Sequence, residues 1–301
     1  MPVKPRLIAV DMDGTLLNSN GIVSQRNLAA FRHAELTGAE IAIATGRRHC
    51  YAMQVLRQLS RPERSALISS NGSVIRTIDS TLLHRSHMPV ETARWVCDHM
   101  REFRSTLVIT FDKVGPDGED DRGALVCEHG DDLHASIGRW MQVNAPYIEH
   151  ISPIELSLRD EQPIQMMLCG PIDRMREAEA HLLRDPRVVG MEAEDDPAAE
   201  IALHRTEYEA RDLCILDILP AGCSKASALL RLAKMRGIDR AETLAIGDNW
   251  NDVSMFRVAG RAAVMSNAPL DLQILAAENG WQMVPCNDED GVAVAIENAF
   301  A

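Results

Sequence analysis

Asp11 and Asp13 stand two residues apart in the run Asp11-Met12-Asp13-Gly14-Thr15-Leu16-Leu17, directly after the apolar stretch Leu7-Ile8-Ala9-Val10. One carboxylate of such a pair could attack phosphorus while the other handles the proton of a leaving group. Gly14 permits a turn that lets backbone amides approach an anion. Taken alone, the pair could equally cap a turn. A second acidic loop, Gly247-Asp248-Asn249-Trp250-Asn251-Asp252, follows the apolar run Thr243-Leu244-Ala245-Ile246. Hard oxygen donors of this kind suit magnesium, although Asp and Asn are also ordinary helix N-caps. Ala44-Thr45-Gly46-Arg47 offers a hydroxyl and free amides suited to a phosphate, and Ser224-Lys225 places a cation at the start of a helical stretch, against the helix dipole. Together these segments supply a nucleophile, an acid/base, metal ligands, a hydroxyl and a cation. That is the set phosphoryl transfer requires.

The elements carrying these residues follow from hydrophobic pattern. Leu7–Val10, Glu40–Ala44 and Ala66–Ser69 read as buried strands separated by helical sequence, with Ser24 as N-cap of a helix over Ser24–Leu36 and Gly38 just past its end. The same alternation returns with helix Lys225–Met235, strand Thr243–Ile246, helix Asn251–Val258 and strand Arg261–Val264. Strand–helix alternation implies a parallel α/β sheet, and ligands bind such sheets at the carboxyl ends of strands. Between these halves the pattern changes. Thr106–Thr110, Ala124–Glu128, Ile164–Cys169, Ile201–His204 and Cys214–Leu219 read as strands, and Asp132–Val143 and Ile172–Leu183 as helices. This predicts a discontinuous core, residues 1–85 and 220–301, interrupted by an α+β insert at 86–219.

The chain has 301 residues, 46% hydrophobic and 25% charged, with a formal net charge of -13. The acidic balance argues against nucleic acid, which is held by clustered Lys and Arg, and against an acidic membrane surface. A phosphate must then be captured locally. Seven scattered cysteines without C-x-x-C spacing argue against a disulfide framework or structural zinc. The short apolar start and the lack of any run near the roughly 20 apolar residues of a spanning helix predict a cytoplasmic protein. The scattered His33, His49, His84, His87 and His99 are not read as a metal site, nor is the acidic run Glu192–Asp196.

DMDGTLL, ATGR, SK before a helix and GDNWND resemble the four ordered motifs of the haloacid dehalogenase superfamily, and Ser70-Asn71-Gly72 and Val264-Met265-Ser266-Asn267-Ala268 resemble two further signatures of its Cof-type phosphatase branch. Ala226 and Ser266 stand where the branch usually has glycine. The resemblance implies a Rossmann-like parallel sheet with a large inserted α/β cap. It further implies that Asp11 is the nucleophile and a magnesium ligand, and that Asp13 is the general acid/base, with its backbone carbonyl on the metal. Met12, Thr45, Gly46, Lys225 and Asn251 match phosphate-binding positions. Asp248 matches a direct magnesium ligand and Asp252 a supporting acid at the metal.

The expected activity is magnesium-dependent hydrolysis of small phosphomonoesters through an aspartyl-phosphate on Asp11, sugar phosphates first. A phosphomutase or phosphotransferase of the same superfamily, or a phosphate-binding module without turnover, are the alternatives. Asp13 favours turnover, because a binding module has no need of an acid/base. In the insert, Glu128, His129, Arg159 and Gln165 are polar candidates for reading a sugar.

Overall fold

The computed structural model describes residues 3–56, 65–115, 117–129, 137–190 and 198–301. In chain order its strands and helices are β1 (Leu7–Asp11), α1 (Gln25–Leu36), β2 (Glu40–Ala44), α2 (His49–Leu56), β3 (Ala66–Ser69), β4 (Val74–Thr77), β5 (Leu82–Arg85), α3 (Val90–His99), β6 (Leu107–Thr110), β7 (Leu125–Cys127), α4 (Gly138–Asn144), β8 (Ile148–His150), β9 (Gln165–Gly170), α5 (Ile172–Leu182), β10 (Val188–Val189), β11 (Ile201–Tyr208), β12 (Leu213–Pro220), α6 (Lys225–Arg236), β13 (Thr243–Gly247), α7 (Val253–Val258), β14 (Arg261–Met265), α8 (Leu270–Asn279), β15 (Gln282–Val284) and α9 (Gly291–Phe300). They fall into two compact units, Met1–His84 with Ser224–Ala301, and Arg85–Cys223.

The first unit is built on a sheet of order β15-β14-β13-β1-β2-β3-β4-β5. Its pairs from β15 through β3 are parallel, and β4 runs antiparallel to β3. Successive strand residues point to opposite faces, as a pleated strand requires. Ile8, Val10, Ile41, Ile43, Leu244 and Ile246 enter a core that includes Ala30 and Phe31 of α1 and Val292 and Ile296 of α9. Leu7, Ala9, Ala42, Ala44 and Ala245 enter one that includes Leu229 and Leu232 of α6 and Phe256 of α7. Burial on both faces is why these strands read as unbroken apolar runs.

Chain order reverses at β1, with β2 on one side and β13 on the other. That reversal is the point at which open α/β sheets bind ligands. Register aligns the carboxyl ends: Asp11 pairs with Ala44, and Gly247 with Val264. α1 begins as its sequence dictates, Ser24 accepting from the Asn27 amide at 3.1 Å. α6 begins with a reciprocal capping box between Ser224 and Ser227 and ends at Gly237, whose φ of 61° suits an achiral residue.

The second unit has a sheet of order β10-β11-β12-β9-β6-β7-β8. α3 and α5 pack on one face through Val96, Met175, Ala178 and Leu182, while Ile137 and Trp140 pack with Val108, Cys169 and Leu213 on the other. β11 and β12 form an antiparallel hairpin paired from Ile201↔Pro220 to Tyr208↔Leu213. β11 runs on past Ile201–His204 because cross-strand pairing carries Arg205 and Glu207 into the ladder opposite Leu216 and Cys214, and β12 gains Leu213 and Pro220 at its ends. The expected helix at Asp132–Val143 is α4, starting at Gly138; residues 130–136 and the acidic run Glu192–Asp196 lie outside the described residues. The expected helix Asn251–Val258 instead begins with a 3-10 turn, Trp250–Asp252, and becomes α-helical only at Val253. Among the described residues no helix is long and apolar enough to cross a membrane.

Candidate active site

Asp11 ends β1 and Asp248 follows β13, so sheet register alone brings them to one edge. Lys225, the first residue of α6, lies between the acidic loops with no solvent exposure. Its Nζ donates to Asp11 Oδ1 at 2.6 Å and to Asp252 Oδ1 at 2.6 Å. The other oxygen of Asp252 accepts the amides of Asp248 at 3.0 Å and Asn249 at 3.1 Å. These bonds explain why the chain tightens into a 3-10 turn here. Gly247 is needed at the end of β13, since a Cβ would collide with the Asp252 side chain. Asp248 Oδ1 accepts the Thr15 hydroxyl at 2.8 Å, and its Oδ2 accepts from Asn267 Nδ2 at 3.2 Å. Gly14, with φ of 82°, lets the first loop close against Asp248, because a Cβ there would strike that carboxylate.

The phosphate-type residues gather beside this cluster. Thr45 is buried, and its hydroxyl accepts the Arg47 amide at 3.1 Å. The Asn71 amide donates to the Thr45 carbonyl at 3.0 Å, and the Asn251 side chain donates to Asn71 Oδ1 at 3.4 Å. A Cβ on Gly46 would lie 3.2 Å from the Asn71 amide group. The Ser70–Gly72 turn is unusual backbone: Ser70 and Asn71 both have φ of 49°, and Gly72 has 102°. Non-glycine residues in the left-handed region mark a turn imposed by its surroundings. Gly72 passes so close to α6 that a Cβ would meet the Ser224 carbonyl. Met12 contributes backbone, its carbonyl accepting from Leu17 at 2.9 Å, while its side chain is core.

Asp13 is placed differently. Its carboxylate is forked by Arg47, Nε at 2.8 Å and Nη2 at 2.5 Å, and the same guanidinium lies 4.5 Å from the Tyr51 ring centre. The Asp13 side chain is 45% exposed, while Asp11, Asp248 and Asp252 are buried. The structure thus brings Asp11, Asp248, Asp252 and Lys225 into one cluster, and ties Thr45, Gly46 and Asn251 together through Asn71. It leaves the Asp13 carboxylate outside both. Thr15, Arg47, Asn71 and Asn267 were assigned no role from sequence. All four lie inside quoted motifs, which is their only signal in the sequence.

Burial dominates the electrostatics. It pushes the Asp11 carboxyl well above the usual carboxylate range, helped by Asp252 and opposed by Lys225. Asp248 is pushed up to about 7 by burial and then by Asp252, with the Thr15 hydrogen bond opposing. Burial would lower Lys225, yet Asp11 and Asp252 hold it above the ordinary lysine value. Three carboxylates face one ammonium, leaving an excess of negative charge. One oxygen from each of Asp11, Asp248 and Asp252 lies within 4.8 Å of the others. An all-oxygen, net-negative donor set of this kind fits a hard divalent cation.

A parallel sheet whose switch point carries two acidic loops and a buried bridging lysine defines an α/β enzyme site with a metal-binding character. The sequence profile of the haloacid dehalogenase-like hydrolases matches residues 8–296, and the chain belongs to that family. It is a hydrolase of the Cof-type branch. It is similar to the 5-amino-6-(5-phospho-D-ribitylamino)uracil phosphatase YwtE of Bacillus subtilis strain 168, 29% identical over an alignment of 309 residues that covers 98% of each chain. It is also similar to the phosphatase YwpJ of the same organism, 29% identical over 298 residues, covering 96% of this chain and 97% of the relative. A haloacid dehalogenase-like hydrolase structure from B. subtilis superposes with a TM-score of 0.76 at 25% identity, covering 97% of this chain and 99% of that one.

Proposed function

We propose that this hydrolase is a magnesium-dependent phosphatase of small phosphomonoesters, working through an aspartyl-phosphate on Asp11. The observation that carries this reading is the Lys225 ammonium bridging Asp11 and Asp252 at 2.6 Å each in a fully buried position. A cation so placed keeps the Asp11 carboxylate available and meets the charge of an arriving phosphate. An Asp11 oxygen attacks phosphorus, the bond from phosphorus to the ester oxygen breaks, and Asp13 gives that oxygen its proton. Asp13 then takes a proton from water as the water attacks the phosphoaspartate, which restores the Asp11 carboxylate and releases inorganic phosphate. Half exposure and separation from the carboxylate trio suit Asp13 to moving protons at the leaving group.

Magnesium would be held by the carboxylates of Asp11 and Asp248 and the Asp13 carbonyl. Asp252 acts in support: its Oδ1 takes the Lys225 ammonium and its Oδ2 takes two backbone amides. When bound, magnesium would supply charge neutralisation for the transferred phosphoryl group. Thr45, Gly46, Asn251 and the Met12 backbone would hold the phosphate oxygens.

Phosphorylated sugars and polyols are the proposed substrates. YwtE, named for an ester of a ribityl chain, supports this class. Arg85–Cys223 is the proposed cap, which selects among esters. Of its sequence candidates, Glu128 accepts the Ile154 amide at 2.7 Å and Gln165 bonds Asp217, while His129 and Arg159 are exposed. The deciding experiment is phosphate release from a panel of phosphosugars by wild type and Asp11→Asn. Loss of turnover and of acid-stable, hydroxylamine-labile label on the protein is expected from the variant. Wild-type turnover by Asp11→Asn would refute the covalent mechanism.

A further inference from the structure

Asn267 lies in the turn after β14, 253 positions from Gly14 and 19 from Asp248, and its side-chain amide touches both acidic loops. Nδ2 donates to the Gly14 carbonyl at 2.8 Å and to Asp248 Oδ2 at 3.2 Å. Its Oδ1 accepts the Asn287 amide at 3.2 Å, and Asn287 in turn donates from Nδ2 to the Leu17 carbonyl at 2.8 Å. The loops after β1, β13, β14 and β15 are stitched through these two asparagines, but only Asn267 reaches the acidic cluster. Thr15 holds Oδ1 of Asp248, so Asn267 supplies the second contact that fixes the plane of that carboxylate.

We propose that Asn267 is a positioning residue for the metal site: it orients Asp248 and the turn at Gly14 for magnesium. This inference rests on the reading of Asp248 as a magnesium ligand. A carboxylate with one oxygen on a hydroxyl and the other free can rotate about its terminal torsion, which is broad. A donor on the second oxygen removes that freedom before the cation arrives. Groups that orient metal ligands are worth about 10- to 100-fold in affinity. The bond to the Gly14 carbonyl adds a second constraint, on the loop that carries Asp11 and Asp13. Asn267 is itself exposed, so removing its side chain opens no core cavity.

The test is calorimetric titration of metal-free protein with magnesium chloride, which reads binding rather than turnover. Asn267→Ala should weaken magnesium by about 10- to 100-fold. Asn287→Ala, which removes a stitch between the same loops without touching Asp248, should stay within about twofold of wild type. Should Asn267→Ala fail to fold, Asn267→Ser keeps a polar turn residue with a single shorter donor, and an affinity loss of about fivefold or more is expected. Affinity within about twofold of wild type in the folded Asn267 variant overturns the proposal. So does an equal loss in the Asn267 and Asn287 variants, which would make Asn267 a loop support only. Asp248→Ala separates the two levels of inference. If it binds magnesium as wild type does, the assignment of the metal site itself fails; if it loses binding while the Asn267 variants keep it, only the positioning role fails.

Discussion

Lys225 holds its ammonium 2.6 Å from the Asp11 carboxylate, although 214 positions of sequence separate them and neither side chain has more than marginal contact with solvent. A buried pair of this kind is expensive to break from one side, because the remaining charge is left without compensation.

Lys225→Met should therefore do more than slow turnover. It should destabilise the metal-free protein at neutral pH by about 3–5 kcal/mol, since Asp11 and Asp252 would remain buried without their cation. Denaturant unfolding at pH 7.5 with EDTA measures this. Stability equal to wild type would mean that the lysine is not what balances the two carboxylates.

Asp13→Asn should leave the fold intact, because its carboxylate is half exposed and bonded to Arg47. Turnover of an alkyl phosphate should fall by about 100- to 10,000-fold, the usual contribution of a general acid/base. The loss should be smaller for an aryl phosphate whose leaving group needs no proton. Equal losses with both esters would remove Asp13 from the leaving-group step.

Stability of the metal-free protein should depend on pH through Asp248. Its folded-state value of about 7 exceeds the ordinary carboxylate value, chiefly through burial. Below about pH 4 both folded and unfolded chains carry this proton, and the contribution is fully present. Between about pH 4 and 7 the unfolded chain has released the proton and the folded chain keeps it, so stability falls as pH rises, by at most about 1.4 kcal/mol per unit. The comparison is the denaturant midpoint of wild type against Asp248→Asn from pH 4.5 to 7.5 in EDTA. The gap should move in favour of the variant with rising pH, and saturating magnesium should restore wild type, since a ligand of the folded state stabilises it. A gap that moves the other way contradicts the burial argument.

Gly72→Ala tests the close approach of the Ser70–Gly72 turn to α6. Its φ of 102° and the Ser224 carbonyl in the path of a Cβ both oppose a side chain. A loss of about 1–3 kcal/mol is expected, together with lower turnover because Lys225 adjoins Ser224. Gly38→Ala, whose φ of 94° is also positive but whose Cβ would meet nothing, should cost less. Equal thermal midpoints for the two variants would show that the turn does not press on α6.

Local sequence pattern carried β1 through β3 and α6 through β14 of the first unit and the positions of the acidic loops, but gave no sign of β4, β5, α8, β15 or α9. Those signals are local: unbroken apolar runs, an N-cap at Ser24, and carboxylates where β1 and β13 stop. It could place Asp11, Thr45, Lys225 and Asp248 near the same sheet edge, because a parallel sheet gathers the carboxyl ends of its strands. Which carboxylate shares the lysine was decided only in three dimensions. Asp252 faces Lys225 and two amides, whereas Asp13, two residues from Asp11, turns to Arg47. Those choices depend on how closely loops distant in sequence can approach, which Gly14, Gly72 and Gly247 set by lacking a Cβ. The bonds of Asn267 and the full length of the β11–β12 hairpin belong to the same category, since each depends on a partner that no local pattern specifies.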